Sequence, residues 1–475
     1  MAQSKIASAL RKYLKGSELR ILPGGNPSRP APAHIMNKFS KSLIGNSGKS
    51  SSAIHSLMYA DLSNSNLPKV IDGAINADVV QDFSNTLHSI FNADRRSFPS
   101  MYSYLLLSKD LISSDPSDDN YGQALVELFT KEQIDSIQVS LIEILDESKS
   151  PDVISKFTSS LLKLTTISKD DTSVGDFVND PINDSVEIAN ASAFGDVAYE
   201  IISHGLERMK VNRDDSTRVK NVQRLSTMLS GLVSLGLIYD AARIHESIKN
   251  APRGEMEILP HEILGIVCFT GVPPGAPRDV RIKLATASFS NAIERAHKGI
   301  SHVFVSYSDP TSDVSELVTK RVGGEDARNL IQAFNDFDVL SNPEINFKKL
   351  FSESDLKRAV KALAGKVGFA GPIKGKSATR MFMETSFLET LVYFLGENNK
   401  PYSVFVDNCY TKLGLILGST QFIDDAQVAR LKSLVGRNND VKKTIAYLDE
   451  LLRKRLVETG LAQEFSDGHT VIRIV

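Results

Sequence analysis

Apolar residues at helical spacing constrain this chain more than any other feature. Ile134, Ile137, Leu141, Ile144 and Leu145 recur at i, i+3, i+7, i+10 and i+11, following Leu125, Leu128 and Phe129. That spacing lines one side of an α-helix, whereas it would scatter over both faces of a strand. Ser150-Pro151 then supplies an N-cap with proline at the first helical position, and Val153, Ile154, Phe157, Leu161 and Leu164 repeat the pattern. Helices resume near Ala189 and run through Arg224 to Ile238 and Ala241 to Ile248. A last long stripe is Val441, Ile445, Leu448, Leu452 and Leu456, after the cap candidates Asn438, Asn439 and Asp440. Only ILGIVCFTGV (263–272), HVFVSY (302–307) and YSVFVD (402–407) have strand character, being short, apolar and rich in β-branched or aromatic residues. The same runs also suit buried helix segments. The expected class is mainly α, with two helical lobes, flexible N- and C-terminal arms and few short strands. No repeat of 20–50 residues marks a solenoid.

Breaks in the pattern place the boundaries. After a short helix to about Ser17, LPGGNPSRPAPAH cannot hold regular structure, and GNSGKSSS at 45–52 is a second such patch. Residues 1–52 are therefore expected to be a flexible basic arm. Its first fifty residues carry nine Lys or Arg against Glu18 alone, while the whole chain has a net charge of -2. Such asymmetry fits a basic arm on a more neutral body. The opening MAQSKIASALRKYLKGSELR also has mitochondrial-presequence character, with Ile6, Leu10, Tyr13 and Leu14 sharing a helical face. The acidic, turn-rich 170–187 segment reads as a surface loop, and PPGAP at 273–277 as the division between lobes. The expected lobes are then 53–272 and 278–460, followed by a tail at 461–475 that could pair with another subunit.

Composition narrows the function classes. Two cysteines in apolar runs, Cys268 and Cys409, read as buried free thiols and argue against a secreted disulfide scaffold. No apolar run approaches 18 residues, so no membrane span is expected. GNSGKS at 45–50 matches the end of a phosphate-binding P-loop, but Leu43 occupies the place of its first glycine. Asp407 at the end of YSVFVD is the corresponding Walker-B-like candidate. HEILG fails the zincin pattern, because Gly265 stands where a second histidine belongs. His245-Glu246 and His297 read as helix-surface residues. No catalytic constellation, metal set or cofactor motif emerges, and the chain is expected not to be an enzyme.

Basic clusters are the recurring chemistry. Arg208, Lys210, Arg213, Arg218, Lys220 and Arg224 crowd one helical region, and Lys320-Arg321 precede Gly323-Gly324. The most unusual stretch is DLKRAVKALAGKVGFAGPIKGKSATR, which has no acid between Asp355 and Glu384. Its first part reads as a helix that Gly365, Gly368, Gly371, Pro372 and Gly375 then break. A glycine-rich loop lets main-chain N–H groups approach an anion, and flanking cations add charge. Lys357, Arg358, Lys361, Lys366, Lys374, Lys376 and Arg380 are the candidate RNA-binding residues here, joined by Arg278, Arg281 and Lys283 after PPGAP. No aromatic RNP pattern accompanies them, so phosphate contact with little sequence preference is the expected mode.

The arm ILPGGNPSRPAPAH, the loop GKVGFAGPIKGKSATR and the tail FSDGHTVIRIV together resemble the organisation of nucleocapsid proteins of negative-strand RNA viruses, the plant rhabdovirus type in length. The resemblance implies two helical lobes clamping single-stranded RNA and terminal arms gripping further copies of the chain. A viral phosphoprotein and polymerase are implied as partners, and virion, host cytoplasm or host nucleus as location. Another viral capsid subunit, or a cellular or mitochondrial helical scaffold, shares the same features.

Overall fold

The computed structural model describes residues 2–14, 19, 21–22, 32–45, 120–145, 192–211, 215–250, 258–270, 278–308, 313–371, 379–436 and 440–474. In chain order the elements begin with α1 (Ala2–Leu14), α2 (Pro32–Ile44), α3 (Tyr121–Val126), α4 (Lys131–Leu145), α5 (Ala193–Val211) and α6 (Asp215–Asn250). There follow α7 (Pro260–Ile263), β1 (Ile266–Val267), β2 (Phe269–Thr270), α8 (Arg278–Tyr307), α9 (Val314–Val322), α10 (Gly324–Asp336), α11 (Pro343–Leu350) and α12 (Glu353–Lys366). The chain closes with β3 (Ala370–Gly371), β4 (Arg380–Met383), α13 (Thr385–Leu395), α14 (Tyr402–Leu413), β5 (Leu415–Ile416), α15 (Asp425–Val435), α16 (Val441–Glu458), β6 (Ala462–Glu464) and β7 (Thr470–Ile472). The fold is mainly α, with a few short strands.

The chain divides into two compact units, and the cuts fall within α5, after Ile201, and within α6, after Ser226. This differs from the expected division at 273–277. The reason lies in pairing that local sequence does not announce. β1 pairs in parallel with β5 (Ile266↔Leu415, Val267↔Ile416), and β2 with β4 (Phe269↔Phe382, Thr270↔Met383). The segment before PPGAP is thus built into the same unit as the segments after it.

In the smaller unit, α2 packs on α3 and α4. Ile35, Met36, Phe39 and Leu43 are buried, as are Leu125, Leu128, Phe129, Ile137, Leu141 and Leu145. Burying each such side chain contributes about 1.5–3 kcal/mol. The 32–44 segment is therefore a core helix, and the expected arm does not extend across it.

The larger unit is organised around α8, which touches α1, α11, α12, α15, β1 and β4. Gly299 matters there: a Cβ would stand 1.7 Å from the carbonyl oxygen of Ala241 on α6, so only glycine allows that helix crossing. α1 is held in place as well. Tyr13 is buried against Phe304 and Phe334, and its hydroxyl donates to the Tyr307 carbonyl at 3.1 Å. Lys12 pairs with Asp326 at 2.5 Å. The amphipathic face seen in the sequence thus packs within its own chain, which again departs from the flexible arm. The remainder of 1–52 lies mostly outside the described residues.

Two strand-like runs are helical. HVFVSY ends α8 and YSVFVD begins α14. Their apolar side chains meet neighbours around the helix, with Phe304, Phe405 and Val406 fully buried, so tertiary packing overrides β propensity. ILGIVCFTGV does contribute β1 and β2. The tail departs from its expected loose form: β6 and β7 form an antiparallel hairpin, Val471 bridges Pro401, and Ile472 is buried. One stretch, Lys220–Asn250, is long and apolar enough to cross a membrane among the described residues, but 94% of its apolar window is buried within the protein. That is the profile of a core helix.

Candidate nucleic-acid interface

The helix carrying the acid-free stretch is well specified locally. Ser352 caps α12: its hydroxyl accepts from the Asp355 amide at 3.3 Å, while the Asp355 carboxylate accepts from the Ser352 amide at 3.0 Å. This reciprocal capping box fixes where the helix starts. Gly368 ends it at φ 72°, with the Phe369 amide donating back to the Ala364 carbonyl at 2.8 Å. A side chain there would pay the left-handed penalty and also meet Glu384, whose Cβ lies 2.8 Å from the ideal Cβ position. β3 and β4 then pair antiparallel, Gly371 opposite Arg380. Gly365 therefore belongs to the helix rather than to the break and Gly371 to β3, while residues 372–378 of the glycine-rich loop lie outside the described residues.

The candidate cations are placed unequally. Lys357 is half-buried, its Nζ 3.3 Å from the Ser290 hydroxyl and 6.0 Å from the Phe289 ring centre, so it lies along α8. Arg358 is exposed and pairs with Asp355 of its own helix. Lys361 is half-buried, and Lys366 is exposed in the last turn of α12, where a cation complements the helix dipole. The Arg380 guanidinium lies 5.6 Å over the Phe269 ring, and Phe269 in turn packs edge-on against Phe382 at 5.4 Å. Arg281 is 5% exposed and sits 4.8 Å over the Tyr447 ring. Lys283 is exposed. Lys374 and Lys376 lie outside the described residues, as does the Arg278 side chain.

One apolar cluster relates several of these positions. Phe269, Leu284, Ala285, Tyr410, Ile416, Val428, Leu431 and Leu448 share it, with Phe382 packed against its edge. Arg281 precedes Leu284 by three residues, Tyr447 adjoins Leu448, and Arg380 sits on Phe269. The fold thus seats Arg380 on a member of that cluster, while Arg281 stands one turn before Leu284 on α8 and Lys357 lies along the same helix.

Other basic residues have structural work. Arg321 stacks over Tyr307 at 4.0 Å and donates to the Tyr13 carbonyl at 3.5 Å, holding α1. In the other unit, Lys210 pairs with Glu207 at 2.6 Å, and Arg224 is buried, donating to Asn221 at 3.2 Å. Sequence reasoning missed a buried network around the end of α7. Arg295 donates to Glu246 at 3.1 Å and to the carbonyls of Glu262 and Leu264 at 2.8 and 2.9 Å. Arg430 reaches the same two carbonyls at 2.8 and 3.2 Å. Burial and the nearby Arg430 charge lower Arg295 to about 10. Burial alone would raise Glu246, but Arg295, Lys249 and Arg430 outweigh it and hold its carboxyl below the ordinary value. These arginines satisfy helix-end carbonyls.

The histidine positions also differ from expectation. His297 is 4% exposed, and its Nε2 lies 2.8 Å from the Phe351 carbonyl. His261 stacks on Tyr410 at 4.4 Å, and burial lowers its pKa. Asp407 is on a helix, where it accepts from the Thr420 hydroxyl, so it terminates no Walker-B strand. Both cysteines are free and buried. Lys49 lies outside the described residues. Among the described residues no group of three or more His, Cys, Asp or Glu is placed to hold a metal ion. No protein-family model, curated protein or solved structure matches the chain.

Proposed function

We propose that this protein coats single-stranded RNA as a nucleocapsid protein, by phosphate contacts made from α12, the β3–β4 hairpin and the start of α8. The observation carrying this reading is that Arg281, Lys357 and Arg380, distant in sequence, all stand on α8 or on elements packed against it. The acid-free run from 356 to 383 carries further cations in the same stretch of sequence. Electrostatic contact of this kind carries little sequence information, which suits a coat and not a reader of sequence. A coat also needs copies of itself as neighbours, and virion and host cytoplasm are its proposed locations.

The test replaces Lys366, Lys374, Lys376 and Arg380 together by alanine. Each phosphate contact on a single strand contributes roughly -0.7 to the slope of log affinity against log salt. The quadruple variant should therefore show a slope shallower by about 2–3 units, with similar losses on RNAs of different sequence. The protein lacks tryptophan, so copurifying RNA is easily seen against its weak absorbance at 280 nm. Wild-type RNA content together with an unchanged salt slope would refute the reading.

A further inference from the structure

Arg281 sits in the first turn of α8, is 5% exposed, and has two buried nitrogens, Nε and Nη2, with no hydrogen-bond partner. These two are not arbitrary. Nε–H and the adjacent Nη2–H point the same way and form the side-on edge by which arginine grips an oxyanion with two parallel hydrogen bonds. The Tyr447 ring stacks on the guanidinium, holds its plane and takes up neither of these donors. A buried cation without a carboxylate or carbonyl on it is costly, and buried donors are nearly always matched. The beginning of a long helix adds a favourable field for an anion at that place.

We infer that the side-on edge of Arg281 is the seat of a phosphoryl oxyanion, held bidentately at the start of α8 with Tyr447 as its backing. This deepens the RNA reading and, for the source of the phosphoryl group, rests on it: a phosphodiester of RNA and free inorganic phosphate present the same oxygens. The edge is closed to water as it stands. Entry requires movement of the first turn of α8, and helix ends open most readily.

The experiment is thermal unfolding of the full chain and of Arg281→Met, titrated with inorganic phosphate from 1 to 100 mM at constant ionic strength. Ligand binding to the folded state raises Tm with concentration. The wild type should gain about 2–5 °C more than the variant over that range. The variant serves as the control for phosphate's general stabilising effect. In phosphate-free chloride buffer, Arg281→Met should melt at or above the wild type, because an unmatched buried charge has been replaced by an apolar side chain. Parallel titrations, or a Met variant that melts well below wild type in chloride, would overturn the inference and make Arg281 a packing residue. If the Met variant does not fold, Arg281→Lys decides: it keeps the charge and loses the fork, so it should lose the phosphate-dependent rise, and keeping it overturns the inference.

Binding of a ten-residue oligouridylate separates the sources. An affinity loss of about tenfold in Arg281→Met assigns the seat to a phosphodiester, and unchanged RNA affinity with a lost phosphate response assigns it to free phosphate. A hairpin quadruple variant with unchanged RNA binding, beside an intact phosphate response at Arg281, would refute the coat and leave this seat standing.

Discussion

Arg295 and Arg281 are both buried guanidiniums on α8, fourteen residues apart, and they have opposite surroundings. Arg295 spends both terminal nitrogens on Glu246 and on two carbonyls at the end of α7, leaving only its Nε unmatched. Arg281 has an aromatic ring beside it and an unmatched donor edge. The difference shows why a buried arginine says little until its donors are counted. One closes a network that the fold needs, while the other leaves an edge that the fold does not use.

The sharpest way to test the contrast is Arg295→Met. It should cost about 3–5 kcal/mol in urea unfolding, because it leaves half-buried Glu246 with only the surface Lys249, at 3.7 Å. A loss as small as that of Arg281→Met would erase the distinction. Next in size is Arg430→Met. It removes one of two guanidiniums from the carbonyls of Glu262 and Leu264 and should cost about 1–3 kcal/mol, since Arg295 still serves both.

Acid titration sharpens the same contrast. The folded-state pKa of Glu246 is depressed, so the unfolded chain binds its proton more readily. Its contribution is present above the unfolded carboxylate value near roughly 4.3 and is lost as pH falls through the lower folded value. Arg295→Met removes the largest charge that opposes burial, so the variant should lose less stability than the wild type between about pH 5 and pH 3. Identical slopes would show that Glu246 does not depend on Arg295. The smallest effect belongs to Lys412→Met. The pair Lys412–Glu200 lies at the surface, with side chains 29% and 58% exposed, and its loss should cost under about 1 kcal/mol.

Much of the helical scaffold was legible in the sequence. Val441, Ile445, Leu448, Leu452 and Leu456 are the five buried residues of α16, and Asp440 caps it by accepting from the Lys443 amide at 3.0 Å. An amphipathic helix writes its packing into its own spacing. α12 and its glycine stop were readable for the same reason. HVFVSY and YSVFVD were not, because six residues are too few to show a helical period and their β-branched and aromatic content suits a strand equally well.

The candidate site was legible as composition but not as geometry. Arg380 meets Phe269 only because residues 269–270 pair with 382–383, and no local signal encodes a parallel pairing over that separation. The pairing of Arg295, Glu246 and Arg430 was not legible, because each is an ordinary residue on its own helix. The expected arm and tail failed for a simpler reason: a few apolar anchors, Tyr13 and Ile472 among them, suffice to dock a short element whose composition looks loose.

The parallel pairings of β1 and β2 also set a timetable. Ile266–Thr270 leaves the ribosome more than a hundred residues before Phe382, Met383, Leu415 and Ile416, its only strand partners among the described residues. At about 5–20 residues per second, that run waits on the order of ten seconds with its ladder groups unpaired. Such an interval is long compared with hairpin or helix formation. The larger unit cannot complete itself from the N-terminal end as it is made. Its central apolar run must be shielded until late in synthesis, and the last third of the chain is what ends the wait.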